Sequence, residues 1–215
     1  MKQRITMTTS LATILLIGLT TTACGKKAET NSDIKPIINR NAGKEISDTF
    51  DKQNPAWKSY TGNWTIANGV LRQNSTKDSY PVILREDKNL DNVDIRVQFK
   101  PISGDIDASA GIIFRATDED NYYIVRANAL ENNFRLYTFI DGYRHQLASA
   151  TVTPPSLNKI HTMRVVANGD HIQVYLNNKL QLDHHDATFT TGYTGLWTKA
   201  DSVTEFDNFD VLKLM

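Results

Sequence analysis

The sequence predicts an all-β protein built as an antiparallel sandwich or barrel. Three observations predict it. Short stretches that alternate apolar and polar residues recur at roughly ten-residue spacing. Asn-Gly and Asp-Gly pairs sit between them, supplying the positive φ that tight hairpin turns require. Beyond the N-terminal 24 residues no amphipathic helical pattern occurs.

The chain opens with a different kind of signal. Lys2 and Arg4 form a basic head, Leu11 to Leu19 an apolar stretch, and Thr21, Thr22 and Ala23 lead into Cys24, the only cysteine. That is the layout of a secretory signal, too short to span a bilayer stably. Its ending resembles a bacterial lipobox, with Thr21 where Leu is usual, so residues 1–23 are expected to be removed and Cys24 acylated. Residues 24–44 are polar and read as the acylated cysteine and a flexible tether. Residues 45–215 then form one domain, attached to membrane through lipid only. Gly25 lacks the Asp that favours inner-membrane retention. The expectation is therefore an exported lipoprotein of the cell envelope, on the periplasmic side of the outer membrane.

Composition excludes several classes. The 24 basic and 24 acidic residues balance, which argues against nucleic acid as a partner. A single cysteine excludes thiolate metal sites and thiol catalysis within the folded domain.

The strands follow in order. Trp64 to Ile66 and Val70 to Arg72 flank Asn68-Gly69. Val93, Ile95, Val97 and Phe99 alternate with Asp94, Arg96, Gln98 and Lys100, giving a strand with one wet face. Tyr122 to Asn128 and Phe134 to Ile140 follow, and Asp141-Gly142 turns the latter into Tyr143 to Leu147. Thr162 to Ala167 and His171 to Leu176 join through Asn168-Gly169-Asp170. Asn177-Asn178 leads into Lys179 to Leu182. Gly195 to Thr198 and Phe206 to Leu214 close the chain. No short internal repeat occurs, which counts against a propeller.

Several segments, in order, resemble a known family. Asp48-Thr49-Phe50-Asp51, Trp57 and Gly62 to Leu71 resemble the first strands of concanavalin A-like jelly rolls. Gly111 to Arg115 with Asn121 to Arg126, Val174 to Lys179, and Gly195 to Ser202 with Phe206 to Phe209 are similar to later ones. The closest group is the bacterial lectin/glucanase-like domain called 3-keto-disaccharide hydrolase, over about residues 46 to 214. The resemblance implies an antiparallel two-sheet jelly roll. It also implies a carbohydrate ligand or substrate, either in a lectin-like binding domain or in a glycoside hydrolase acting on 3-keto-disaccharides. A protein-interaction or adhesion domain is the third possibility on this fold. The Glu-x-Asp-x-x-Glu pattern of glycoside hydrolases of family sixteen is absent.

Candidate site residues cluster between 111 and 144 and near 200. Arg126 and Asn128 share a strand face, as do Arg135 and Tyr137. With Arg115, Arg144, Trp197 and Lys199 they offer the ring and the polar groups that a sugar groove needs. Glu131 and Asp201 are the candidate catalytic acids, with Lys199 or Arg126 as charge stabilisers. The resemblance also raises a structural Ca²⁺, with Asp51 near the first strand and Asp207 near the last, or the loops Asp105-Ile106-Asp107 and Asp118-Glu119-Asp120. His184-His185 is a poor zinc pair, because neighbours on a strand point to opposite faces and no third ligand suggests itself. His145, His161 and His171 read as ordinary strand residues.

Overall fold

The computed structural model describes residues 43–215, Thr76 excepted. The expected signal, Cys24 and most of the tether lie outside the described residues. Fifteen strands follow one another: β1 (Gly43–Asp48), β2 (Trp57–Thr61), β3 (Trp64–Ala67), β4 (Val70–Gln73), β5 (Val82–Leu90), β6 (Val93–Ser103), β7 (Ser109–Ala116) and β8 (Tyr122–Asn128). Then come β9 (Asn133–Ile140), β10 (Tyr143–Thr151), β11 (His161–Asn168), β12 (His171–Leu176), β13 (Lys179–His185), β14 (Gly192–Trp197) and β15 (Val203–Lys213). They form two antiparallel sheets. The first runs β13-β12-β11-β6-β15-β4-β3, with β1 also paired to β15; the second runs β10-β9-β8-β7-β14-β5-β2.

Alternation in the sequence decides what lies between the sheets. On β6, Val93, Ile95, Val97 and Phe99 are buried while Asp94, Arg96 and Gln98 face outward. From the other sheet Ile112, Phe114, Val125 and Leu136 meet them in one core. The turns use the expected chemistry: Asn68 and Gly69, Asp141 and Gly142, and Asn177 and Asn178 all have positive φ. Pairs of that kind give a type I′ turn, whose twist matches the flanking strands.

Strand β5 is a departure from the sequence reading, which leaves Val82–Leu90 unassigned. Val82, Ile83 and Leu84 are all buried, so no alternation marks them. The cause is a second, smaller apolar cluster on the outer face of the seven-stranded sheet. Val82, Leu84, Ile113, Ile124, Tyr137, Phe139 and Trp197 form it, with Tyr80 packed against it. Strands β7 and β8 are buried on both faces for the same reason.

Two local devices set this sheet in place. Asp48 is buried at the end of β1 and accepts hydrogen bonds from Trp57 Nε1 (3.0 Å), Asn54 Nδ2 (3.0 Å), Arg85 Nη1 (3.1 Å) and the Phe50 amide (2.9 Å). It thereby ties the first sheet to β2 and β5 of the second. Gly111 on β7 allows close packing: a Cβ there would lie 2.4 Å from Ile124 Cδ1 and 2.8 Å from the Val125 carbonyl oxygen. Gly111→Ala should therefore cost about 1–3 kcal/mol through overpacking. Urea unfolding checks this, and an unchanged midpoint would show that the sheet yields there.

Candidate functional site

The outer face of the seven-stranded sheet gathers most of the expected residues. Register does this. Arg126 on β8 lies opposite Arg135 on β9, Tyr137 opposite Ile124, and Arg144 on β10 opposite Phe139. Two arginines facing each other across strands repel unless an anion lies between them. Glu131, in the β8–β9 turn, is that anion. Its Oε2 accepts from Arg126 Nη2 at 2.6 Å and Asn133 Nδ2 at 2.7 Å. Arg126 Nη2 also reaches Asn133 Oδ1 at 2.5 Å.

A buried tier supports this row. Asp107, fully buried, pairs with Lys199 Nζ, lies 3.4 Å from Arg126 Nη1 and accepts from Asn128 Nδ2 at 2.5 Å. Asn128 Oδ1 in turn takes the amides of Ala108 (3.1 Å) and Leu130 (3.0 Å). Asn128 is thus a buried loop fastener under the face. Arg126 is buried too, so the accessible tier is Glu131, Asn133, Arg135 and Arg144. Arg144 lies over the Tyr137 ring (4.6 Å) and the Tyr80 ring (5.5 Å). Nε of Arg126, Nε of Arg135 and Nη1 of Arg144 are buried with no hydrogen-bond partner in the protein. Donors of this kind are costly to leave unpaired.

Three expected placements need correction. Arg115 is not on this face. It is buried, has φ 51° beside an irregularity of β7, and donates to the carbonyls of Asp91 (2.9 Å) and Phe189 (3.2 Å). Trp197 does lie on the face but is fully buried beneath Tyr80, whose ring stacks on it at 5.7 Å and 20°. The half-exposed ring is therefore Tyr80, which the sequence reading missed because its loop position carries no strand signal. Asp201 does not reach Glu131's neighbours. Its carboxylate accepts the amides of Asp105 (2.7 Å), Ile106 (3.1 Å) and Asp107 (2.9 Å). Burial opposes its ionisation, but those N–H groups outweigh it and hold the carboxyl below its usual range. Asp201 thereby holds the loop that carries Asp107.

Glu131 is also held ionised. Burial pushes its carboxyl up, yet hydrogen bonds from Arg126 and Asn133 and the nearby arginine charges bring it down from 4.5 to about 2. The folded value lies below the unfolded one, so Glu131 contributes stability above about pH 4.5 that is lost as pH falls towards 2. Acid titration of the urea midpoint should therefore be steeper in the wild type than in Glu131→Gln across that window. Parallel curves would mean that the pair is too solvated to matter.

Of the calcium candidates, the Asp207 carboxyl is raised by burial and, after the opposing hydrogen bond from the Asn208 amide, by the Asp51 charge. Asp51 accepts from Thr49 Oγ1 at 2.7 Å, and Asp118 is spent on the Asp120 amide and the Asn121 side chain. Among the described residues, three or more His, Cys, Asp or Glu ligand atoms converge only at His171, Asp183 and His185.

The fold has known counterparts. The CBM66 carbohydrate-binding module from Bacillus subtilis superposes with TM-score 0.65 at 23% identity, over 72% of this chain and 93% of the module. The Bacillus licheniformis beta-glucanase superposes with TM-score 0.57 at 12% identity, over 82% of this chain and all (100%) of the glucanase. The architecture is accordingly the concanavalin A-like jelly roll on which carbohydrate-binding modules and glucanases are built. In sequence, levanase of Bacillus subtilis (strain 168) is 30% identical over 103 residues, which is 46% of this chain and only 15% of levanase. The family described as the 3-keto-alpha-glucoside-1,2-lyase-like domain matches residues 43–212, and the chain belongs to it.

Proposed function

We propose that the outer face of the seven-stranded sheet binds a carbohydrate in a lectin-like way, in a protein exported and anchored by acylated Cys24. One observation carries the binding reading. Arg135 lies beside the partly exposed Glu131 carboxylate and Arg144 over the half-exposed Tyr80 ring, on a sheet face otherwise filled by a buried aromatic and aliphatic cluster. Hydroxyls of a sugar pair with the accessible N–H groups of Arg135 and Arg144 and with Glu131, while Tyr80 offers a ring edge or face. The excess of arginine over carboxylate also suits a ligand carrying its own carboxylate. The test is titration of the full chain, by calorimetry, with levan, neutral oligosaccharides, uronate-containing oligosaccharides and 3-keto-glucosides. Levan comes first because of the levanase relative. Saturable binding that Glu131→Gln weakens about tenfold supports the reading. Equal binding by that variant would overturn it.

A second reading is glycoside cleavage on 3-keto sugars, which the family description favours. A hydrolase needs two carboxyl groups across the scissile bond, and Asp201 is tied to backbone amides. A lyase needs a base to take the C2 proton beside the 3-keto group and cations to hold the enolate charge; the C1–O bond then breaks as the C1–C2 double bond forms, and the leaving oxygen takes a proton. Glu131, flanked by Arg126 and Arg135, is the carboxylate placed for that role, although a carboxyl held down to about 2 is a weak base while Arg126 stays paired with it. On this reading Glu131→Gln loses turnover of a 3-keto-glucoside more than it loses binding.

A further inference from the structure

Strands β12 and β13 form the last hairpin of the eight-stranded sheet, and β13 is its edge. His171 opens β12 and lies directly opposite His185, which closes β13. Their rings stack with centroids 4.6 Å apart and planes 6° from parallel. Asp183 precedes His185 by two residues, so it projects from the same face. Its Oδ1 lies 2.7 Å from Nε2 of His171. Each of the three residues offers one ligand atom, and these lie within 4.8 Å of one another.

The surroundings orient these ligands. Asp170 Oδ2 is 3.2 Å from Nδ1 of His185. A carboxylate there keeps the proton on Nδ1 and leaves the lone pair of Nε2 free. Gln173 Nε2 donates to the other oxygen of Asp183 at 3.0 Å, which leaves Oδ1 turned to the histidines. Ligands about 2.1 Å from a tetrahedral zinc lie about 3.4 Å apart. Small rotamer changes of side chains that are exposed or half exposed bring the three atoms to that spacing. His184 lies opposite Ile172, on the other face from His185. The partner of His185 is thus its cross-strand neighbour rather than its sequence neighbour.

We propose that His171, Asp183 and His185 bind one divalent ion of the zinc type across this hairpin, with Asp170 as a positioning residue and the fourth coordination position open to solvent. Two imidazoles and one carboxylate are a common zinc donor set. The site is remote in sequence from the arginine row and stands whether or not that row binds sugar.

The experiment uses the full-length chain, freed of metal with a chelator, then titrated separately with ZnCl₂ and CoCl₂. The expected result is one ion per chain and the intense visible absorption of four-coordinate Co²⁺. His171→Ala and His185→Ala should each weaken binding by at least about tenfold, Asp170→Asn by a smaller factor, and His184→Ala not at all. A loss of sheet signal in the circular dichroism of an alanine variant calls for His185→Asn in its place. Absence of saturable binding, wild-type affinity in His171→Ala or His185→Ala, or an equal loss in His184→Ala overturns the site.

Discussion

Arg126→Ala should remove carbohydrate binding and lower the unfolding free energy by about 3–5 kcal/mol, the cost of breaking a buried, hydrogen-bonded charge pair from one side. Arg126 is nearly fully buried and joins Asp107, Glu131 and Asn133. Its removal leaves Asp107 with Lys199 and Asn128 alone below the face and releases Glu131 above it. Arg126→Lys separates the two effects. A lysine keeps the charge but, as a compact ammonium, cannot bridge Asp107 and the Glu131–Asn133 pair together. That variant should retain most of the stability and still bind sugar at least about tenfold more weakly. Urea unfolding and calorimetric titration give the two readouts. Wild-type affinity in Arg126→Lys would mean that the ligand sits elsewhere.

Asp48→Ala should be equally damaging to stability, by about 3–5 kcal/mol, with no direct effect on the ligand face. The carboxylate serves Trp57, Asn54, Arg85 and the Phe50 amide at once. Without it, buried Arg85 retains only its pairing with Asp87, and the Trp57 indole N–H loses its acceptor. Asp48→Asn should recover part of the loss, because an amide still accepts hydrogen bonds but carries no charge. Urea midpoints of the three proteins rank them. A cost of Asp48→Ala below about 1 kcal/mol, typical of a surface pair, would show that water replaces the carboxylate.

How much of this was legible in the sequence depends on what each strand faces. Val93 to Lys100 alternates because one side of β6 is core and the other is water, so its pattern states its fate. Val82 to Leu84 does not alternate, because the outer face carries its own apolar cluster, so β5 stayed hidden. Arg126 with Asn128, and Arg135 with Tyr137, could be placed on shared faces from parity alone. That they share one surface depended on hairpin register, which the turn residues fix only once both strands are known. Arg115 shows the limit of parity, since the irregularity of β7 turns its side chain away from the face. Asp201 and Asn128 were recognised as polar, yet the sequence carries no sign that their partners are backbone amides. The pairing of His171 with His185 is likewise a product of register and invisible to local spacing.

The place of β15 has a consequence for how the protein comes together. It lies beside β6 on one flank and beside both β1 and β4 on the other, and it is C-terminal to every other strand of the sandwich. A ribosome delivers β1 first and its hydrogen-bonding neighbour last. The eight-stranded layer thus closes only after synthesis has passed through β15, and such distant pairings make for slow assembly.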